Sequence, residues 1–218
     1  ILAQALSGSI SVNANATYTT SSTVNVNLAI SPSPSAVMTL MAFSNDGVSY
    51  SSDEAYQALK TGWALPGGSP GTRTVYVRGT DSAAKVAYFQ DTIEFDGAAP
   101  TINAFSVLLG AAASGAVGVT LDFDVSDVGS GVQLIEASND GTNFTAVAAT
   151  GASWNLTGVD GTKTVTLRVT DKAGNVTTGP DQIFLDLTNP TLSTVSINGD
   201  SQYTSVTNAN MSVTASDT

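Results

Sequence analysis

The chain has no cysteine and no histidine, only seven Lys and Arg residues together, and few aromatics. Without cysteine there is neither a disulfide scaffold nor a thiolate metal site, so the fold must rest on its apolar core. Without histidine or cysteine the usual base and nucleophile constellations cannot be assembled. The acids recur at strand ends rather than as a facing pair of the kind glycoside hydrolysis needs, and no enzyme is expected. Eighteen acidic residues against seven basic ones give a net charge of −11. That balance repels phosphate backbones and anionic membranes, excludes a nucleic-acid partner and favours divalent cations. No apolar run approaches the roughly 20 residues that span a bilayer, so no membrane insertion is expected within this chain. Ala3-Gln4-Ala5 has the form of a signal-peptidase site, but only Ile1 and Leu2 precede it, and coincidence is the simpler reading.

What the chain does have is internal repetition, with a period of about 90 residues. Ser44-Asn45-Asp46-Gly47 recurs as Ser138-Asn139-Asp140-Gly141, and Trp63-Ala64-Leu65 as Trp154-Asn155-Leu156. Gly71-Thr72-Arg73-Thr74-Val75-Tyr76-Val77-Arg78 returns as Gly161-Thr162-Lys163-Thr164-Val165-Thr166-Leu167-Arg168. Asp91-Thr92-Ile93 matches Asp181-Gln182-Ile183, and Pro100-Thr101 matches Pro190-Thr191. A third copy then begins: Ile10-Ser11-Val12-Asn13 aligns with Val195-Ser196-Ile197-Asn198, and Tyr18-Thr19 with Tyr203-Thr204.

Each copy reads as all-β. Apolar residues alternate strictly at Val119, Leu121, Phe123 and Val125, and again at Val165, Leu167 and Val169, with Thr164, Thr166, Arg168 and Thr170 between the latter. That is the pattern of antiparallel strands with one face packed and one face wet. Asp-Gly pairs punctuate the strands as turns, and no capped helical periodicity appears. Short strands in units of about 90 residues predict two-sheet Greek-key sandwiches, each about 30–40 Å long. The expected boundaries are a leader or donor segment at 1–5, repeat 1 at 6–98, repeat 2 at 99–188 and a partial third repeat at 189–218. The single tryptophan of each repeat, Trp63 or Trp154, is read as a core anchor rather than an exposed stacking platform.

The run Ser-Asn-Asp-Gly, then Trp, then Gly161 to Asn175, then Asp181-Gln182-Ile183 and Asn189-Pro190-Thr191, resembles the bacterial immunoglobulin-like repeats. Such repeats occur in tandem in very large surface and secreted proteins, among them adhesins and biofilm proteins. The resemblance implies tandem immunoglobulin-like sandwiches in an elongated, extracellular, cell-surface protein. Repeat 1 departs from the pattern: Asp81-Ser82-Ala83-Ala84-Lys85 stands where repeat 2 has Asp171-Lys172-Ala173-Gly174-Asn175.

The acids suggest calcium, which takes hard oxygen ligands. In tandem sandwiches the loop after the second strand and the last hairpin lie beside the end of the preceding domain. Asp127, Asp171 and Asn175 are therefore expected to meet Asp96, and Asp186 to meet Asp217 at the next junction. The same residues also suit plain turns, since Asp and Asn bond their own backbone two residues on. Repeat 1 has Pro32 at the position of Asp127 and Lys85 at that of Asn175, as a first domain with no earlier neighbour would. Sequence drift alone would look the same.

The function expected is a structural spacer or stalk in an extracellular fibre, its partners being neighbouring repeats or identical subunits. The alternative is a self-assembling filament subunit, joined by strand complementation of the incomplete third repeat, with the segment from Ile1 to Leu6 as donor. A carbohydrate-binding module would need clustered exposed aromatics, whereas Tyr18, Tyr50, Tyr76 and Tyr203 are scattered along the chain. No small-molecule ligand is expected.

Overall fold

The structure is a computed structural model that describes residues 5–205 and 207–217. Its first eight strands are β1 (Ser7–Val12), β2 (Tyr18–Thr19), β3 (Thr23–Ser31), β4 (Met38–Ser44), β5 (Glu54–Ala55), β6 (Leu59–Ala64), β7 (Gly71–Asp81) and β8 (Val86–Phe95). They form a three-stranded sheet, β1-β3-β6, and a five-stranded sheet, β2-β8-β7-β4-β5. The alternation seen in sequence decides the faces. Val24, Val26, Leu28 and Ile30 of β3 are buried, as are Val75 and Val77 of β7, while their neighbours in sequence face outward. These residues join Ile10, Val12, Met41, Phe43 and Ile93 in one core.

The same plan returns in β9 (Thr101–Val107), β10 (Ala113–Ser114), β11 (Gly118–Ser126), β12 (Val132–Ser138), β13 (Thr145–Ala146), β14 (Ala152–Asn155), β15 (Gly161–Asp171) and β16 (Val176–Leu185). Their sheets are β14-β11-β9 and β10-β16-β15-β12-β13, the same order shifted by eight strands. Val119, Leu121, Val165, Leu167, Val169, Ile183 and Leu185 are buried. The expectation of immunoglobulin-like sandwiches therefore holds. A last hairpin pairs β17 (Thr191–Ile197) with β18 (Met211–Ser216).

By packing, the chain divides into two compact units. The first holds residues 1–103, 125–135 and 168–178, and the second holds 104–124, 136–167 and 179–218. The division does not fall in the proline-containing linker at 97–101. It runs through β9, β11, β12, β15 and β16, so one end of the second set of strands packs within the first unit.

Several repeated motifs turn out to be fold devices. In the first unit Asp91 of β8 accepts the backbone N–H of Val12 at 2.8 Å, while Ile93 enters the core. In the second, Asp181 accepts the N–H of Val107 at 2.8 Å. The Asp-x-Ile motif thus ties the first strand of each repeat to its last. Trp63 is half-buried and packs on Phe43 with ring centroids 5.3 Å apart. Its indole N–H donates to Asn45 at 2.9 Å, and Asn45 in turn donates to the carbonyl of Ala64. Trp154 and Asn139 repeat this at 2.8 Å, which explains the asparagine of Ser-Asn-Asp-Gly. The following aspartate closes the turn: Asp46 accepts the N–H groups of Val48 and Ser49 and the Ser44 hydroxyl. These bonds, that of Ser49 foremost, hold the Asp46 carboxyl down at about 2.

Of the segment expected as leader or donor, residues 1–4 lie outside the described residues. Leu6 is buried in the core of the first unit.

Candidate functional site

At one end of the first unit, three segments far apart in sequence converge: the end of β8, the loop after β11, and the hairpin between β15 and β16. They bring Asp96, Asp127 and Asp171 together, with one carboxylate oxygen of each within 4.8 Å of the others. All three residues belong to the first unit. Among the described residues this is the one group of three or more potential metal ligands.

The backbone holds each carboxylate in place. Asp96 is 1% exposed; its Oδ2 accepts the N–H of Ser130 at 2.6 Å and its Oδ1 that of Ala98 at 3.1 Å. Burial alone would push the Asp96 carboxyl up, but the bonds from the Ser130 N–H and hydroxyl and from Ala98 outweigh it and hold it below its usual range. Asp171 is fully buried and accepts the N–H groups of Gly174 at 2.7 Å and Asn175 at 2.9 Å on Oδ1. Asp127 accepts the N–H groups of Gly129 at 3.0 Å and Gly131 at 2.6 Å, both on Oδ2. Its Oδ1 is buried and has no hydrogen-bond partner.

That orphan oxygen sits in a crowd of negative charge. At 4.8 Å a pair of carboxylates repels by roughly 3 kcal/mol even at an effective dielectric of about 20. The ion pairs Lys60–Glu54 and Arg78–Asp53 lie elsewhere, and the Lys172 ammonium stands near Gly131, 3.5 Å from where its Cβ would be. An all-oxygen donor set with one buried oxygen unsatisfied is chemistry that a hard cation completes. A cavity of about 110 Å³ lined by Asp96, Gly129 and Ser130 borders the group.

Two residues that build this site escaped the sequence reading. The Ser130 hydroxyl accepts the N–H of Ala173, so one serine links the Asp96 carboxylate to the hairpin. Gly129 passes so close to Asp96 that a Cβ there would lie 2.3–2.5 Å from the carboxylate, a contact only glycine permits. Asn175 is brought to the same place in another role. Its side-chain N–H₂ donates to Asp171 Oδ2 at 2.8 Å and to the carbonyls of Asp96 at 2.9 Å and Ala98 at 3.0 Å. It thereby pins the linker, helped by the Thr177 hydroxyl on the carbonyl of Pro100.

Repeat 1 shows the same hairpin without the crowd. Asp81, aligned with Asp171, is buried and accepts the N–H and hydroxyl of Ser33 together with the N–H groups of Ala83 and Lys85. There a serine takes up the free side of the carboxylate. Of the second expected junction, Asp186 accepts the N–H of Thr188, and Asp217 follows β18 and is exposed. The linker at Leu187–Thr188 is gripped by Asp160, which accepts the N–H of Leu187 at 2.7 Å and the Thr188 hydroxyl.

No family model and no curated protein matches the chain. Solved structures do. A bacterial ice-binding adhesin of 1.5 MDa aligns at TM-score 0.50 and 18% identity, over 88% of this chain and 68% of the other. Fibronectin(III)-like modules of Clostridium thermocellum CbhA align at TM-score 0.45 and 13% identity, over 81% and 92%. A tetra-tandem repeat from the extending region of a large adhesion protein aligns at TM-score 0.29 and 19% identity, over 96% of this chain and 56% of that one. What the chain shares with the ice-binding adhesin is the fold, an immunoglobulin-like β-sandwich.

Proposed function

We propose that the chain is a spacer segment of an extracellular bacterial surface protein, with a repeat junction that calcium stiffens. The observation that carries this is the convergence of Asp96, Asp127 and Asp171 around a buried, unpartnered carboxylate oxygen. Asp96 ends repeat 1 while Asp127 and Asp171 belong to repeat 2, so a bound cation would tie the two repeats. The linker is already pinned by Asn175 and Thr177, which supports a stiff rather than a loose connection. Bound calcium would neutralise the carboxylates and satisfy Asp127 Oδ1. A surface location is supported by the shared fold with an adhesin and by a composition without recognisable catalytic chemistry. Among the described residues no helix is long and apolar enough to cross a membrane.

The test is a thermal melt of the chain in millimolar calcium against excess chelator. At a calcium concentration about 100-fold above Kd the native state gains about 2.7 kcal/mol. That should appear as a rise of several degrees in calcium that Asp127→Asn abolishes. Identical melts in the two buffers would sink the cation and leave these residues as turn formers.

A self-assembling filament subunit is the second reading, in which a second copy of the chain covers the last hairpin. Leu192, Val195, Ile197, Met211 and Val213 share one face of β17–β18 and are 51–70% exposed. The aligned residues Ile10, Val12, Val26 and Leu28 are core in repeat 1. Such a face calls for cover, whether from further strands of the same protein or from a second copy.

A further inference from the structure

The tyrosines that look scattered in sequence are gathered by the sheet. On the outward face of β7 and β8, Arg78 stands opposite Tyr88 and Tyr76 opposite Gln90. Tyr50, from the loop between β4 and β5, lies against Tyr88 with ring centroids 5.7 Å apart and planes at 60°. The Arg78 guanidinium sits 5.3 Å from the Tyr50 ring and donates to Asp53 at 2.8 Å. Tyr76 lies against Gly47, where a Cβ would come within 3.1–3.3 Å of its ring. Tyr88 is 64% exposed, and beside Tyr50 a groove of about 390 Å³ opens, lined also by Asn45, Asp46 and Trp63.

Repeat 2 is an internal control. It builds the same sheets and a comparable groove of about 470 Å³ beside Trp154. Yet Thr166, Thr178 and Pro180 stand at the positions of Tyr76, Tyr88 and Gln90. Repeat 2 keeps an aromatic, Phe144, at the position of Tyr50 but does without Tyr76 and Tyr88, and Tyr88, an exposed ring that the fold does not need, marks a contact surface.

We propose that this face of the first repeat is a binding platform for neutral carbohydrate, engaging the pyranose rings of a polysaccharide. The exposed face of Tyr88 offers a flat ring on which the C–H face of a sugar can stack. Around it stand a guanidinium, a carboxylate, an amide and two further phenols, a mixed donor and acceptor set that suits vicinal hydroxyls. The Arg78–Asp53 pair closes its own charge, so the patch offers no free cation to an acidic glycan, and the net charge of −11 repels one. The inference stands independently of the calcium junction.

The test applies the chain to an array of neutral and acidic oligosaccharides and to gels containing soluble xylan, mixed-linkage glucan or galactomannan. Retention by at least one neutral glycan is expected. Tyr88→Ala should weaken it by roughly tenfold or more, the scale of one lost stacking contact, with the melting temperature unchanged. Arg78→Lys, which keeps the charge but loses the planar group, should weaken it as well. If Tyr50→Ala lowers the melting temperature, Tyr88→Ala decides alone, because its ring is largely in solvent. Retention only by acidic glycans, retention undiminished in Tyr88→Ala, or no retention at all would overturn the proposal. So would saturable binding of a protein to this face with no glycan bound.

Discussion

Single residues show where the chain follows its pattern and where it departs from it at a cost. In repeat 2 the β15–β16 hairpin turns on Gly174 at φ +98°, and in repeat 1 the aligned Ala84 takes φ +55°. A left-handed alanine is strained by about 1 kcal/mol relative to glycine, less the chain entropy that glycine adds to the unfolded state. Ala84→Gly is therefore expected to leave stability unchanged or raise it by up to about 1 kcal/mol in urea melts. A loss above about 1 kcal/mol would mean the turn is not strained. The aspartates give a second residue-scale expectation. Asp46 is held at about 2, and Asp140, Asp81 and Asp96 are also lowered, by the N–H and hydroxyl groups that bond them. A carboxyl with a folded pKa below its unfolded value near 4 stabilises the fold above that value and loses the contribution as pH falls through the folded one. The melting temperature should thus hold above about pH 4.5 and fall between about pH 4 and 2. A flat profile down to pH 2 would remove these bonds from the stability of the fold.

At the scale of elements, alternation made the long strands legible. β3 and β15 bury the residues their period-two pattern marks, and β11 buries Val119 and Leu121 and half-buries Phe123 and Val125, because a pleated strand sends successive side chains to opposite faces. The short parallel pairings of β2 with β8 and of β10 with β16 left no such mark, since two residues carry no period. The tyrosine face was hidden for a related reason. Tyr76 and Tyr88 meet only through the register of β7 and β8, and Tyr50 joins them from a loop. The hairpin β17–β18 tests the filament reading. If its apolar face drives assembly, the chain should sediment as oligomers at micromolar concentration, and Val195→Lys should return it to monomer. A monomer throughout would set that reading aside.

For the whole molecule, the repeat period foretold the sandwiches and placed Asp96, Asp127 and Asp171 at a common junction, where the structure brings them together. It did not foretell Ser130 or Gly129. Both act through the path of a loop, and a loop's path is fixed by packing rather than by periodicity. Asn175, expected to offer an oxygen, uses its amide N–H₂ to hold the linker. The calcium-stiffened junction thus turns on one point, whether these carboxylates take up a cation. The direct measurement is a calorimetric titration of the chelator-treated chain with calcium chloride, alongside Asp127→Asn. One saturable site per chain, absent from the variant, is the expected result. No binding up to millimolar calcium, or equal binding by both proteins, would contradict a calcium-stiffened junction at Asp96, Asp127 and Asp171.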